Sequence, residues 1–439
     1  MIKKSPAILK IAFITSFLFF IMPLAAAQAQ EKSLNYKNQN LAAYWPIAPL
    51  DEKEGQTSIY LDEPLYKRSK KIWHDLPYTD TDIKLKALKG FLWIIKFMNN
   101  ENNLKENENN YLTMLSTTFC SARDPYLRRM ALEEAKNVAA RLIANNFISR
   151  YEKDNDFDSL MEYLTLFNHL GIVIPELKEK TIMILEKEKQ NIIDRVTREK
   201  QASLDGDELY NTMLLTYYIT NLKNNFPHIS SLNDLPDLRD FFEILGKYKY
   251  HLENEKNSDF SRLTDEDIAS ITDDLYNITH VIFVICDYNS YKVPRNYFQR
   301  EINYMLKFND LVCSKYHNDP DLLAEIVYVL SLMDYPKKYV LIKKGWIKIL
   351  DSQKEDGSWE AYSIDETGSA TDKNYDIFHA TWVAFDMLVE PFSLGTAPFY
   401  KPLIKSLENY ANAYKVEPGI KQSDKVESRR LQKKGNKKP

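Results

Sequence analysis

Two histidines and a short series of carboxylates stand on apolar stretches at helical spacing, and any chemistry would start from them. Over 264–287, Asp273, Tyr276, His280 and Asp287 fall at i, i+3, i+7 and i+14, which places them on one face of a helix. Their neighbours Ile278, Val281, Ile282, Phe283 and Ile285 are apolar. Over 319–333 one face carries Asp321, Glu325 and Tyr328, and over 375–388 one face carries Asp376, His379 and Asp386. Burying even a neutral polar group without a partner costs roughly 2–7 kcal/mol. Three such stripes on three apolar helices therefore predict a water-filled cavity that they line together. Imidazole titrates near neutral pH, so His280 and His379 among these carboxylates suit general acid–base work. The same residue types suit a three-ligand metal site with an open position, formed by His280, Glu325 and His379. The plainer account is that each His is a hydrogen-bonded core residue. Asp273, Asp321 and Asp376 also lie near helix starts, where the dipole favours an acid. Glu325, a full turn inside an apolar helix, has no such explanation.

The elements that must position these residues are helices. Apolar periodicity of 3.6 residues recurs along the chain, with little strand-like alternation. It predicts helices over about 79–99, 124–149, 155–171, 177–198, 206–222, 236–253, 264–287, 295–317, 319–333, 338–353, 375–388 and 400–414. The polar run Glu101 to Asn110 reads as a loop. Thr264 with Asp267 makes a capping-box-like start, and Pro294 and Asp319-Pro320 mark two further starts. Two helix types alternate. The segment 177–198 carries ten charged residues, whereas 206–222 has only Asp207 and Glu208 before running TMLLTYYITNL. Segments 264–287, 319–333 and 375–388 become largely apolar after their first turn, and 295–317 and 338–353 keep a charged face. A helix apolar most of the way round is buried on most sides. The alternation predicts an all-α chain arranged as an α/α toroid, with inner helices lining a centre and outer helices shielding them. A superhelical solenoid is the structural alternative, but no fixed-period repeat occurs.

Two strings carry a resemblance. Gln353-Lys354-Glu355-Asp356-Gly357-Ser358-Trp359 resembles the QxxDGxW motif of squalene–hopene cyclases and their α/α-toroid relatives. The resemblance implies that Gln353 ends an outer helix and bonds backbone, that Asp356-Gly357 turns, and that Trp359 packs on the next inner helix. Tyr375-Asp376-Ile377-Phe378-His379-Ala380-Thr381-Trp382 resembles the D-x-Y-H-T segment of protein prenyltransferase β-subunits. That family's His is a zinc ligand, so the resemblance implies zinc at His379. The family's D-x-C ligand pair has no counterpart here. Tyr276 to Phe283 is similar to a Thr-His helix of bacterial toroid proteins. Asp273-Asp274-Leu275-Tyr276-Asn277 and Asp265-Glu266-Asp267-Ile268 each miss one acid of the class I (DDxxD) and class II (DxDD) terpene cyclase motifs.

The rest of the chain bounds the function class. Lys3, Lys4 and Lys10, the apolar run Ile11 to Leu24 and the small residues of Ala27-Gln28-Ala29 read as a signal peptide over 1–29. The expected location is periplasmic or secreted, without a further membrane span. Residues 30–60 read as an irregular segment, 61–415 as the toroid domain and 416–439 as a disordered basic tail. Discounting the three leader lysines and the tail's net +5, the overall charge of −4 leaves about −12 on the body. An acidic body argues against nucleic acid as partner. With 11 glycines and no GxGxxG or GxxxxGK[ST], a nucleotide site is not expected. Of Cys120, Cys286 and Cys313, one pair could form a disulfide in an oxidising compartment. Three readings remain open. One is an enzyme of terpenoid cyclase/prenyltransferase-like architecture acting on a hydrophobic substrate. Another is a polysaccharide lyase using Tyr276 and His280 as base and acid, or a hydrolase using Asp287, Glu325 and Asp376. The last is a non-catalytic toroid that binds a peptide or protein.

Overall fold

A computed structural model describes residues 76–154, 156–201, 204–253, 263–308, 311–312, 320–333, 340–360, 370–393, 397–398 and 401–414. The expected signal peptide, the irregular segment up to residue 60, the basic tail, Cys313 and the residues around Asp319 lie outside the described residues. Every described residue belongs to one compact unit within Gly55–Pro439.

That unit is nearly all helical. Its α-helices are α1 (Asp80–Met98), α2 (Glu101–Ser121), α3 (Pro125–Ala144), α4 (Phe147–Asp154), α5 (Phe157–His169), α6 (Pro175–Glu199) and α7 (Gly206–Asn225). They continue as α8 (Leu238–Leu245), α9 (Asp265–Ile285), α10 (Gln299–Lys307), α11 (Pro320–Leu332), α12 (Val340–Ser352), α13 (Ala370–Val389) and α14 (Lys401–Ala413). Among the described residues the only ladder is a two-residue parallel pair, β1 (Tyr291–Lys292) with β2 (Ala397–Pro398).

Six helices form the interior. α2 packs on α5, α5 on α7, α7 on α9, α9 on α11 and α11 on α13, and α13 packs back on α2. Others lie against them: α1 on α13 and α2, α3 on α2, α4 and α6 on α5, α8 on α7 and α12 on α11, while α14 packs on α8. Apart from α2, whose first half is polar, the interior helices are those whose sequence is apolar beyond one face. On α11 every residue from Leu322 to Ser331 is buried, Glu325 included. On α6 the buried set shrinks to a stripe, Leu177, Thr181, Ile184, Leu185, Ile192 and Val196 among it, with charge elsewhere. α9 is long and apolar enough to cross a membrane by composition, yet its apolar surface is spent on α7 and α11.

The local signals at helix starts are realised. Thr264 accepts from the Asp267 N–H while Asp267 accepts from the Thr264 N–H, a reciprocal cap for α9. Pro320 opens α11. The expected loop over Glu101 to Asn110 is instead the first half of α2. Asn residues disfavour helix by competing for the backbone, but here they serve it. The Asn100 side chain caps the N–H groups of Asn102 and Asn103, and Asn107 bonds the Asn103 carbonyl where the helix kinks. Tertiary partners complete the override: Asn109 donates to Glu162 at 2.7 Å, and Glu108 pairs with Arg150 and Tyr151. The helix expected over 236–253 is shorter, Leu238–Leu245, and the one expected over 295–317 opens as a 3-10 turn before Gln299–Lys307, with Leu311 and Val312 helical again and residues 309–310 and 313–317 outside the described residues.

The string Gln353 to Trp359 ties three helices together. α12 ends at Ser352, and the Gln353 amide donates to the carbonyls of Lys86 (2.8 Å) and Gly357 (3.0 Å). Gly357 sits at φ +102, and a Cβ there would meet the Lys89 carbonyl at 2.6 Å, so only glycine fits. Trp359 is fully buried, donates its indole N–H to the Ile349 carbonyl at 2.7 Å and exchanges hydrogen bonds with Thr381 of α13. Its ring fills the space that a Cβ at Gly90 of α1 would need. The string thus joins helices from opposite ends of the chain.

Candidate functional site

Two interior helices present the central group of ionisable side chains. On α11, Asp321 and Glu325 are one turn apart, and on α13 His379 faces them. One ligand atom from each of Asp321, Glu325 and His379 lies within 4.8 Å of the others. His379 Nδ1 is 2.9 Å from Asp321 Oδ1, and the Tyr276 hydroxyl donates to Asp321 Oδ2 at 3.2 Å. Glu325 is 1 % exposed, accepts from the Thr279 hydroxyl and lies 3.9 Å from His280 Nδ1. His280 points that nitrogen at the Tyr276 carbonyl, 2.7 Å away, and meets Tyr210 edge to face.

The electrostatics set these groups apart. Burial works against a charge on His379, but the Asp321 carboxylate and its hydrogen bond outweigh it, raising the imidazolium's pKa to about 9. Burial opposes the Asp321 charge too, and the His379 charge with its hydrogen bond still holds this carboxyl below the usual range. Burial pushes Glu325 up, against the pull of His280. An ion pair therefore sits beside a carboxyl that burial makes less acidic than usual, and such divergence of neighbouring groups is typical of catalytic sites.

Glu325, His280 and His379 open on a cavity of about 90 Å³. Its other walls are Asn110 and Thr113 of α2, Glu162 of α5, Tyr210, Leu214 and Tyr218 of α7, Phe283 and Tyr328, and Tyr375, Trp382, Val383 and Asp386 of α13, with Tyr288. Glu162 accepts from Asn109 and Tyr218, and burial raises its pKa to about 7. Asp386 accepts from the Trp382 indole at 2.7 Å, and burial raises its pKa to about 8. Among these lining residues there is no Lys or Arg. Tyr375 stacks on the His379 ring and Trp382 meets it edge to face, which fixes the imidazole plane. Tyr288 reaches the wall through three successive left-handed residues, Asp287 (φ 47), Tyr288 (φ 48) and Asn289 (φ 70). For Tyr that conformation costs about 1–2 kcal/mol, and strain of this kind gathers at functional sites.

A second hollow of about 590 Å³ lies next to the first and shares Tyr210 and His280 with it. It is lined by residues earlier on α7 and α9, including Asp207, Asp273, Tyr276 and Asn277. Earlier residues of both helices line the outer hollow and later ones the inner cavity, so α7 and α9 run inward from the mouth.

Of the residues expected from spacing, His280, Glu325 and His379 do meet at one cavity, and Tyr276 supports them through Asp321. Asp321, expected on the polar stripe, takes the third place in the ligand-distance cluster, and His280 stands at its edge. Asp376 is not a cavity wall, although its charge acts on His379. Asp287 points elsewhere: it is buried below the end of α9 and accepts from the Tyr217 hydroxyl at 2.5 Å. The i+14 spacing fails because α9 ends at Ile285 and the backbone turns left-handed at Asp287. Cys120 and Cys286 are free and buried, and burial pushes both thiols up to about 12.

Spacing missed Asn110, Thr113 and Glu162. The first two fell with the helix that read as a loop. Glu162 carried a usable signal, a lone acid in the apolar run LMEYLTLF. No protein-family model, curated protein or solved structure matches the chain.

Proposed function

We propose that the chain is an exported α/α-toroid enzyme with a metal-assisted acid–base site at its centre. The toroid reading is supported by six interior helices whose contacts run round in order and return from α13 to α2. It is also supported by the Gln353 to Trp359 string that ties α1, α12 and α13. Export is supported by the leader-like pattern at residues 1–29.

The observation that carries the catalytic reading is the clustering of Asp321, Glu325 and His379 within 4.8 Å of one another, with Glu325 and His379 on the wall of a cavity that no Lys or Arg lines. Two carboxylates and an imidazole fit a divalent ion such as zinc, whose charge Asp321 and Glu325 would balance. A bound ion would supply a polarised, acidic water. Asp321 is oriented by Tyr276, and His379 is held in plane by Tyr375 and Trp382. Glu325 and His280 are placed to move a proton at the cavity wall. The same geometry disfavours prenyl diphosphates and acidic polysaccharides, since an anion would meet several carboxyls, no Lys or Arg, and an imidazole already paired with Asp321.

The test is metal content of the full mature chain and of Asp321→Asn, Glu325→Gln and His379→Ala. We expect about one ion per chain, lost or much reduced in all three variants with helicity preserved. Protein free of metal under replete conditions would overturn the metal centre.

A further inference from the structure

The walls of the central cavity say what kind of group it takes. Glu162 and Asp386 stand on α5 and α13, away from the Asp321–Glu325–His379 cluster. Asp386 lies seven residues beyond His379, two turns deeper along α13 at about 10 Å. Each carboxyl has one or two neutral donors, Asn109 and Tyr218 for Glu162 and the Trp382 indole for Asp386, so acceptor capacity remains on both. The remaining surface is largely aromatic. Phe283 packs on Tyr328 at 5.2 Å and stacks near Tyr288 at 6.5 Å, and Trp382 closes the other side over Asp386. Aromatic faces with carboxyls behind them form the surroundings that attract an ammonium group, and the one imidazolium at the wall, His379, is already paired with Asp321.

We propose that this cavity seats the ammonium head of an amine-bearing substrate, between Glu162 and Asp386 and against the faces of Trp382, Tyr328 and Tyr288. The inference rests on the reading of this cavity as the functional centre. The volume of about 90 Å³ suits one such head, since a water takes ~30 Å³ of liquid. The cluster on α11 and α13 does not compete for it, because Asp321 is paired with His379 and Glu325 accepts from the Thr279 hydroxyl. The approach agrees in sign. Among the described residues, Asp207 and Asp273 in the outer hollow pair with no cation, and burial followed by the Asp207 charge raises the Asp273 pKa. One lysine, Lys249, lines the same hollow. The Asn277 amide, 9 % exposed, lines it as well and offers a polar contact on the way in. An acidic mouth concentrates cations and repels anions. Burial raises the pKa of both Glu162 and Asp386, and an entering ammonium would provide the counter-charge that favours their ionised forms.

The experiment is calorimetric titration of the full mature chain with choline, with its uncharged isostere 3,3-dimethylbutan-1-ol, and with inorganic pyrophosphate. Choline is expected to saturate one site at least about tenfold more tightly than the alcohol, with no binding of pyrophosphate. Asp386→Asn and Glu162→Gln should each weaken choline about tenfold or more and leave the alcohol unchanged. Equal affinity for choline and the alcohol, or tighter binding of pyrophosphate, overturns the assignment. So does unchanged choline affinity in both variants. Metal content measured on the same samples keeps the two readings apart. Protein that holds its ion and ignores choline refutes the ammonium site alone. Metal-free protein that binds choline refutes the metal centre alone.

Discussion

Asp386→Asn should make this protein more stable, and increasingly so as pH rises. In the native chain burial raises the pKa of this carboxyl to about 8, against an ordinary value of 3.8. Below about pH 4 both native and unfolded chains carry the proton, and the group has no effect on the pH slope. Between about pH 4 and 8 the unfolded chain releases the proton while the native chain keeps it. The native state then binds more protons than the unfolded state, so stability falls as pH rises. The slope is about 1.4 kcal/mol per pH unit, which accumulates to at most about 4 kcal/mol at pH 7. Asn is nearly isosteric and can still accept the Trp382 indole hydrogen bond, but it has no proton to lose. Urea unfolding followed by far-ultraviolet circular dichroism at pH 4, 5.5, 7 and 8 would measure the difference. We expect near-equal stability at pH 4 and a growing advantage for the variant up to pH 8. A pH-independent difference, or a variant less stable than the parent at pH 7, would show that Asp386 is ionised and paired in the native state. That result would refute the account of this wall of the cavity.

Two further outcomes test the frame around the site. Trp359→Ala removes a fully buried ring that touches α1, α12 and α13, and should cost about 3–5 kcal/mol by thermal or chemical unfolding. A loss under 1 kcal/mol would mean that the string Gln353 to Trp359 does not hold these helices together. Asn100→Ala removes the cap of α2 and should cost about 1 kcal/mol, read by the same unfolding curves. No loss would place the start of α2 under the control of tertiary contacts alone.

Much of the helical frame could be read from the residues. The boundaries of α1, α6, α7, α9 and α11 lie within a few residues of those expected, because each joins a strong apolar period to a local start signal such as Thr264 with Asp267. The polar stripes were legible for the same reason. A carboxylate or imidazole among apolar residues at i, i+3 and i+7 has one direction to face once the helix is buried. His280, Glu325 and His379 therefore emerged as neighbours before any coordinates.

What helical spacing alone could not decide was set by partners distant in the chain. The first half of α2 is polar and rich in Asn, and it is helical because Asn100 caps it and Glu162, 53 residues away from Asn109, accepts a hydrogen bond from it. Asp287 leaves the shared face because the helix ends two residues earlier and the backbone turns left-handed. Whether Asp321 or His280 completes the cluster with Glu325 and His379 depends on how α9, α11 and α13 are rotated against one another, and one helix's period carries no information on another's rotation. The ionisation of Glu162 and Asp386 is likewise a property of the assembled cavity. Residue type supplies a carboxyl of ordinary acidity, and only the surrounding packing removes the water that would keep it charged.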